Sequence, residues 1–289
     1  MVLMALRQSP GPPLLGFPAI TPKYPLRSSA LDDQYQVYIN RLMGMTRLEH
    51  YRSQWPLIQP SPKFDVLPNG SIEPTFFPGY TLMTPPGSQD SGNGDFFQRL
   101  EAVKNEFWQG LPPNLAVPLP SETFHLTIAD LIWDSTYQQE VESRPDYEVE
   151  LQTQIGKVLA QQPSTGTSIG LKVLGFIVMT RAIAVCLAPN TEADYQTILN
   201  LRRSLYQTSE LLALGIDQQY HFTAHITLGY FVGSEGITVD SEKLSQDLDR
   251  LNDVFLDDFP EFQLQTVELR KFRNMLEFDR QEPWPRWSL

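Results

Sequence analysis

The chain has 289 residues, 41% of them hydrophobic, enough for one large domain or two lobes with a core each, and too many for a chain disordered throughout. A formal charge of −12 at pH 7 excludes the many lysine and arginine contacts on which long duplex nucleic acid is held, and leaves a small anion or one nucleic-acid end as partner. A single cysteine, Cys186, excludes an internal disulfide and argues against a cysteine-based zinc site, while no apolar run approaches the roughly 20 residues that cross a bilayer, so no membrane is expected.

Pro10, Pro12, Pro13, Pro18, Pro22 and Pro25 remove amide donors and block a helix, so residues 1–30 read as an irregular proline-rich arm. This start lacks the continuous apolar core of a secretory signal. No acidic residue precedes Asp32 whereas Arg7, Lys23 and Arg27 do, which keeps a transit peptide as the alternative to the preferred cytoplasmic protein. Over Leu31 to Trp55, residues Leu31, Tyr35, Tyr38, Ile39, Leu42 and Met43 recur at helical spacing, with Asp32 and Asp33 suited to the first turn. Asn69 and Gly70 then predict a tight hairpin. The first 75 residues are thus an arm and helix ahead of a first lobe over 76–165 and a second over 166–289.

Phe76 to Thr84 predicts the first strand of the body, and SQDSGNGD after it a loop. Phe97, Leu100, Val103 and Phe107 mark a helix over Phe96 to Trp108, which Pro112 and Pro113 end. A strand over Phe124 to Leu131 and a helix through Tyr147, Leu151, Ile155, Val158 and Leu159 lead to PSTGTS, a boundary between halves. Beyond it come two apolar strands, Ile169 to Thr180 and Ala182 to Ala188, the second holding Cys186 in a buried setting. A helix over Glu192 to Leu214, a strand over Phe222 to Phe231, a helix over Ser241 to Phe255 and a strand over Phe262 to Phe272 complete an α+β pattern. Each half offers strand, helix and histidine-bearing strand in one order, the trace of a duplicated unit.

The histidine-bearing strands, FHLTIADL and FTAHITLGYF, lie one hundred positions apart. Side chains switch faces at every strand residue, so His125 and Thr127 share one face opposite Phe124, Leu126 and Ile128, as His225 and Thr227 lie opposite Ala224, Ile226 and Leu228. By the same parity Ala129 and Gly229 fall on the histidine face, where small residues leave room for a bound phosphate; sheet packing is the alternative use. His221 and Thr223 form a further H-x-T about 13 Å from His225 at the usual strand rise. The apolar frame around His225 makes it the partner of His125 and leaves His221, with Thr223, at the strand's entrance, as a cleft-edge ligand contact or a solvated residue. His50 reads as a surface residue.

Two H-x-[ST] motifs in apolar frames, His125-Leu126-Thr127 and His225-Ile226-Thr227, resemble those of the 2H phosphoesterases, which include RNA 2',3'-cyclic phosphodiesterases and the related bacterial RNA ligases. The segment FFPGYTL with LPSETFHLT resembles an uncharacterised bacterial branch of that superfamily. The resemblance covers about Phe76 to Phe272. It implies two pseudosymmetric lobes, each an antiparallel sheet with helices outside, lining one central cleft, and an activity opening a cyclic phosphate on a nucleotide or RNA end.

Opening a 2',3'-cyclic phosphate takes a base to remove a proton from water and an acid to protonate the departing ribose oxygen. With an ordinary pKa of about 6.5, His125 and His225 can serve as one neutral and one protonated imidazole near neutral pH. Thr127 and Thr227 can donate to the nonbridging oxygens, where charge gathers in the transition state. No metal or cofactor is required, and a monomer is expected. Tyr80, Phe231 and Trp133 are aromatic residues available to stack on a base, with core packing the alternative; Lys172, Arg181 and Lys271 are basic residues available to a second phosphate. Two rivals stand beside this expectation. One is a metallohydrolase built from His125, His225 and an acid such as Asp130, in which the threonines have no role; the other is a noncatalytic nucleotide-binding or interaction protein on the same fold.

Overall fold

Two five-stranded antiparallel sheets form the body of the chain, and each receives one of the two histidine motifs. The computed structural model describes residues 31–164, 166–233 and 237–289; the proline-rich arm expected over 1–30 lies outside the described residues. In chain order the elements are α1 (Tyr35–Met45), α2 (Leu48–Gln54), β1 (Phe64–Val66), β2 (Ile72–Pro74), β3 (Gly79–Met83), α3 (Gly94–Gly110), β4 (Ala116–Pro118), β5 (Thr127–Trp133), α4 (Asp134–Ser143) and α5 (Tyr147–Ala160). They continue with β6 (Ile169–Val178), β7 (Ala182–Pro189), α6 (Glu192–Tyr206), α7 (Ser209–Ala213), β8 (His225–Phe231), α8 (Ser241–Phe255), β9 (Phe262–Leu264), β10 (Thr266–Asn274), β11 (Glu277–Asp279) and β12 (Arg286–Ser288).

The first sheet runs β11-β10-β3-β5, with β12 also on β10; the second runs β4-β8-β7-β6-β9. The arrangement is pseudosymmetric. In one half β3, α3 and β5 succeed one another with β3 and β5 antiparallel neighbours; in the other β7, α6 and β8 do the same. The sequence halves 76–165 and 166–289 exchange strands: β4 pairs with β8 in the second sheet, and β10 pairs with β3 in the first. The single strand expected over Phe262 to Phe272 is therefore two, since the chain leaves β6 after Leu264 and enters the first sheet at Thr266, pairing with β12 there and with β3 from Glu268.

The connecting helices cross over as well. Phe96 and Phe107 of α3 meet Phe262 and Phe176 of the second sheet, while Arg202 and Tyr206 of α6 reach the carbonyls of Ile128 and Asp130 in the first. Each sheet thus has its apolar face closed by a helix from the opposite half.

Local chemistry explains where elements stop. The helix expected over Leu31 to Trp55 breaks at Arg47, whose backbone is extended (φ −95°, ψ 149°). Asp32 and Asp33 lie ahead of α1 and bind Arg203 and Arg41 at 2.6 and 2.9 Å. The helix expected over Glu192 to Leu214 likewise breaks at extended Thr208, giving α6 and α7. Thr191 caps α6 by accepting from the Asp194 amide, and Asp240 caps α8 by accepting from the Lys243 amide. Helix α4 carries one buried residue, Tyr137, so no apolar period announces it in the sequence. The β1–β2 hairpin closes over Gly70 at φ +85°, the left-handed backbone that glycine adopts without strain. Among the described residues no helix is long and apolar enough to cross a membrane.

Candidate active site

Each motif strand carries one extra residue immediately after its threonine. Met83 pairs with Thr127 and Leu82 with Ala129, leaving Ile128 as a bulge; Ala184 pairs with Thr227 and Ile183 with Gly229, leaving Leu228 as a bulge. A bulge resets the alternation of faces. Ala129 and Gly229, expected beside the histidines, turn to the opposite face and are buried, and Asp130 and Tyr230 take the histidine face instead. Gly229 has a packing reason to be small, because a Cβ there would lie 2.4 Å from the Val117 oxygen and 2.5 Å from the Trp108 ring.

The two imidazoles are held alike. The Nδ1 of His125 lies 2.7 Å from the Thr123 carbonyl oxygen, and the Nδ1 of His225 lies 2.7 Å from that of Thr223. A carbonyl only accepts, so each neutral ring carries its proton on Nδ1 and leaves Nε2 with a lone pair. His225 opens β8, whereas His125 stands two residues ahead of β5. There the Leu126 amide donates to the Thr84 hydroxyl, a side chain taking the place of a strand partner. Thr127 and Thr227 are half-buried, and neither hydroxyl is bonded to another described residue.

Burial pushes His125 down to about 4; the bond to Thr123 opposes that shift, and the charges of His225, Lys63 and Arg270 reinforce it. Burial also lowers His225, and Lys63 acts in the same sense, but the Thr223 carbonyl and the Asp130 carboxylate favour its protonated form. Both rings are thus shifted toward the neutral form in the free protein. Asp130 itself is raised by burial against the charges of Lys63, His225 and Arg202, and the Tyr220 hydroxyl donates to its carboxylate. His125, His225, Asp130 and Lys63 therefore act on one another across one polar centre.

Other residues singled out in the sequence fall elsewhere. Tyr80, 1% exposed, sits on the sheet face opposite Thr127, against Tyr137 and Trp284 with its hydroxyl on Glu148. Phe231, 1% exposed, packs on Trp55. Both belong to the core. His221 is largely exposed and pairs with Asp33 at 3.2 Å, while the Thr223 hydroxyl accepts from Arg41 at 2.8 Å. Arg41 also donates to the Phe222 carbonyl at 2.6 Å, so it fixes the backbone that orients His225. His50 is half-buried rather than a surface residue. Lys271 is engaged by Glu148 at 2.6 Å and Lys172 by Glu261 at 3.8 Å. Cys186 is buried, and its thiol is pushed up to about 12 by that burial. Among the described residues no three His, Cys, Asp or Glu side chains are grouped to hold a metal ion, so His125, His225 and Asp130 are not such a set.

Residues missed by pattern reading complete the centre. The Phe278 ring of β11 stands edge-on to His125 at 4.6 Å between centroids. The Lys63 ammonium lies 3.3 Å from the Tyr230 hydroxyl. Tyr220, 46% exposed, presents its ring at the rim while its hydroxyl holds Asp130. The bulges that bring Asp130 and Tyr230 here leave no mark in a period-two pattern.

No family model matches the chain, and no curated protein matches it. Solved structures do. A conserved protein of unknown function from Agrobacterium tumefaciens, ATU0111, superposes with a TM-score of 0.57 at 15% identity, over 79% of this chain and 97% of that one. Escherichia coli LigT complexed with 3'-AMP gives a TM-score of 0.41 at 17% identity, over 74% and 98% of the two chains. A protein described as a phosphoesterase gives 0.41 at 18% identity, over 73% and 98%. The likeness is one of fold, and the fold is the α+β body with two antiparallel sheets expected from the paired motifs.

Proposed function

We propose that this chain is a metal-independent phosphodiesterase of the 2H type, opening a cyclic phosphate of the 2',3' kind, or a related phosphodiester on a nucleotide or RNA end, by two-histidine acid/base catalysis. One observation carries it: two half-buried imidazoles with matched tautomers, each fixed through Nδ1 to the carbonyl two residues upstream, within electrostatic reach of each other. A binding module has little use for that pairing.

Unlike neighbours divide the labour. Cations surround His125, which suits it to remain neutral and take a proton from water through Nε2; Asp130 favours the protonated form of His225, which suits it to donate. Water oxygen then bonds to phosphorus as the phosphorus–oxygen bond to one ribose hydroxyl breaks. The proton on Nε2 of His225 passes to that oxygen, leaving a ribose phosphomonoester. Approach of the phosphodiester anion raises the proton affinity of His225, offsetting the burial that lowers it in the free protein. The hydroxyls of Thr127 and Thr227 donate to the nonbridging oxygens.

The test is hydrolysis of nucleoside 2',3'-cyclic monophosphates in EDTA across pH. Turnover with a bell-shaped profile supports the enzyme. Binding without turnover supports a noncatalytic nucleotide-binding protein on this fold, and loss of turnover on chelation supports a metal-dependent reaction.

A further inference from the structure

We infer that Lys63, supplied by the segment ahead of the two-lobed body, is a binding residue for the phosphate group in the cleft. The inference builds on the phosphodiesterase role proposed above and adds a third element to it, lying outside the Phe76 to Phe272 stretch that carries the family resemblance.

The position is built rather than accidental. The Gln59 amide donates to the Thr180 carbonyl and the Ser61 amide to the Phe231 carbonyl, both at 2.7 Å, pinning the segment to the β6–β7 turn and the end of β8. The Lys63 carbonyl accepts from the Thr75 amide at 3.0 Å, and its own amide reaches the Ser61 hydroxyl at 3.3 Å. Its half-buried side chain runs between Phe77 and Tyr230, with the ammonium 5.4 and 4.9 Å from the ring centroids. Phe64 backs the same Tyr230 ring at 5.7 Å.

Charge gives the site its sign. Among the described residues Lys63 has no carboxylate within ion-pair distance, whereas Arg41 and Arg270 are committed to Asp33 and Glu268. A partly desolvated ammonium held by aromatic faces and one hydroxyl retains attraction for an anion. The charged and titratable groups facing it are His125, His225 and Asp130, and its charge lowers the proton affinity of each. Both imidazoles are shifted toward the neutral form, which leaves Lys63 as a standing cation there able to meet a phosphate oxygen, as a point charge without the bidentate demand of arginine. On a chain of net charge −12 this is where an anionic ester finds attraction.

The variant K63M keeps the alkyl stem against Phe77 and Tyr230 and removes the charge; K63R keeps the charge. Inorganic phosphate binding, followed by the His125 and His225 ring resonances, should weaken by at least about tenfold in K63M and stay near wild type in K63R, as expected for loss of one charge-assisted contact. The apparent pKa values of both histidines should rise in K63M, a change that loss of packing alone does not produce. In the wild-type protein, phosphate should protect Lys63 from reductive methylation, a measurement independent of how any variant folds. Unchanged phosphate affinity in folded K63M, or no protection of Lys63, overturns the inference. If cyclic nucleotides are not turned over but phosphate binding still depends on Lys63, the enzyme proposal fails and the anion site stands. If they are turned over with the same KM by K63M, the anion site fails and the enzyme stands.

Discussion

Asp130 and Tyr230 occupy equivalent places in the two lobes, each five residues past its histidine and each turned onto the histidine face by a one-residue bulge. The backbone repeats while the chemistry does not: one lobe places a carboxylate there and the other a phenol. Two histidines with the same tautomer thereby acquire unlike surroundings, which under the proposed reaction separates an acid side from a base side.

The first consequence is an acid-shifted pH profile. His125 must be neutral to act as base, so kcat/KM should fall as pH drops through about 4. His225 must be protonated to act as acid, and its free-protein pKa is lowered from 6.5, so kcat/KM should fall as pH rises through a value below that. An optimum between these limits is expected in EDTA. Asp130→Asn removes the carboxylate that favours protonated His225, and should move the alkaline limb to lower pH while leaving the acid limb near its place.

Replacement of either motif histidine should be far more damaging than replacement of the third. His125→Ala and His225→Ala should each lose about 10²–10⁴-fold in kcat, the range of a single general acid or base. His221→Ala removes a largely exposed partner of Asp33 and should retain turnover. Abolition by His221→Ala with His225→Ala active would place the second motif four residues upstream.

Gly229 tests the bulge. Were it on the histidine face, a larger side chain would raise KM; facing Trp108 and the Val117 carbonyl, it should instead destabilise. Gly229→Ala should cost about 1–3 kcal/mol of unfolding free energy in urea titrations, as overpacking does, with KM unchanged in the folded protein.

Arg41 tests the support of His225. It binds the Phe222 carbonyl and the Thr223 hydroxyl beside the carbonyl that orients the ring. Arg41→Met should lower kcat about tenfold with little change in KM, the cost of a misplaced catalytic group, and broaden the hydrogen-bonded Nδ1 proton resonance of His225.

The sequence by itself determined the α+β class, the order of strand, helix and histidine strand in each half, and the two H-x-T motifs with their apolar frames. Those features are local: they live in periods of two and 3.6 and in the chemistry of neighbouring residues. What only the tertiary structure decided is non-local. The bulges at Ile128 and Leu228 reversed the faces of Ala129 and Gly229, because alternation holds only until one residue is left unpaired. Tyr80 and Phe231 went to the core because helices and strands distant in sequence cover that side of each sheet. The chain crossed between sheets after Leu264, and Lys63 met the motifs from over sixty residues upstream of the first, since pairing and charge act through space and leave no spacing to read along the chain.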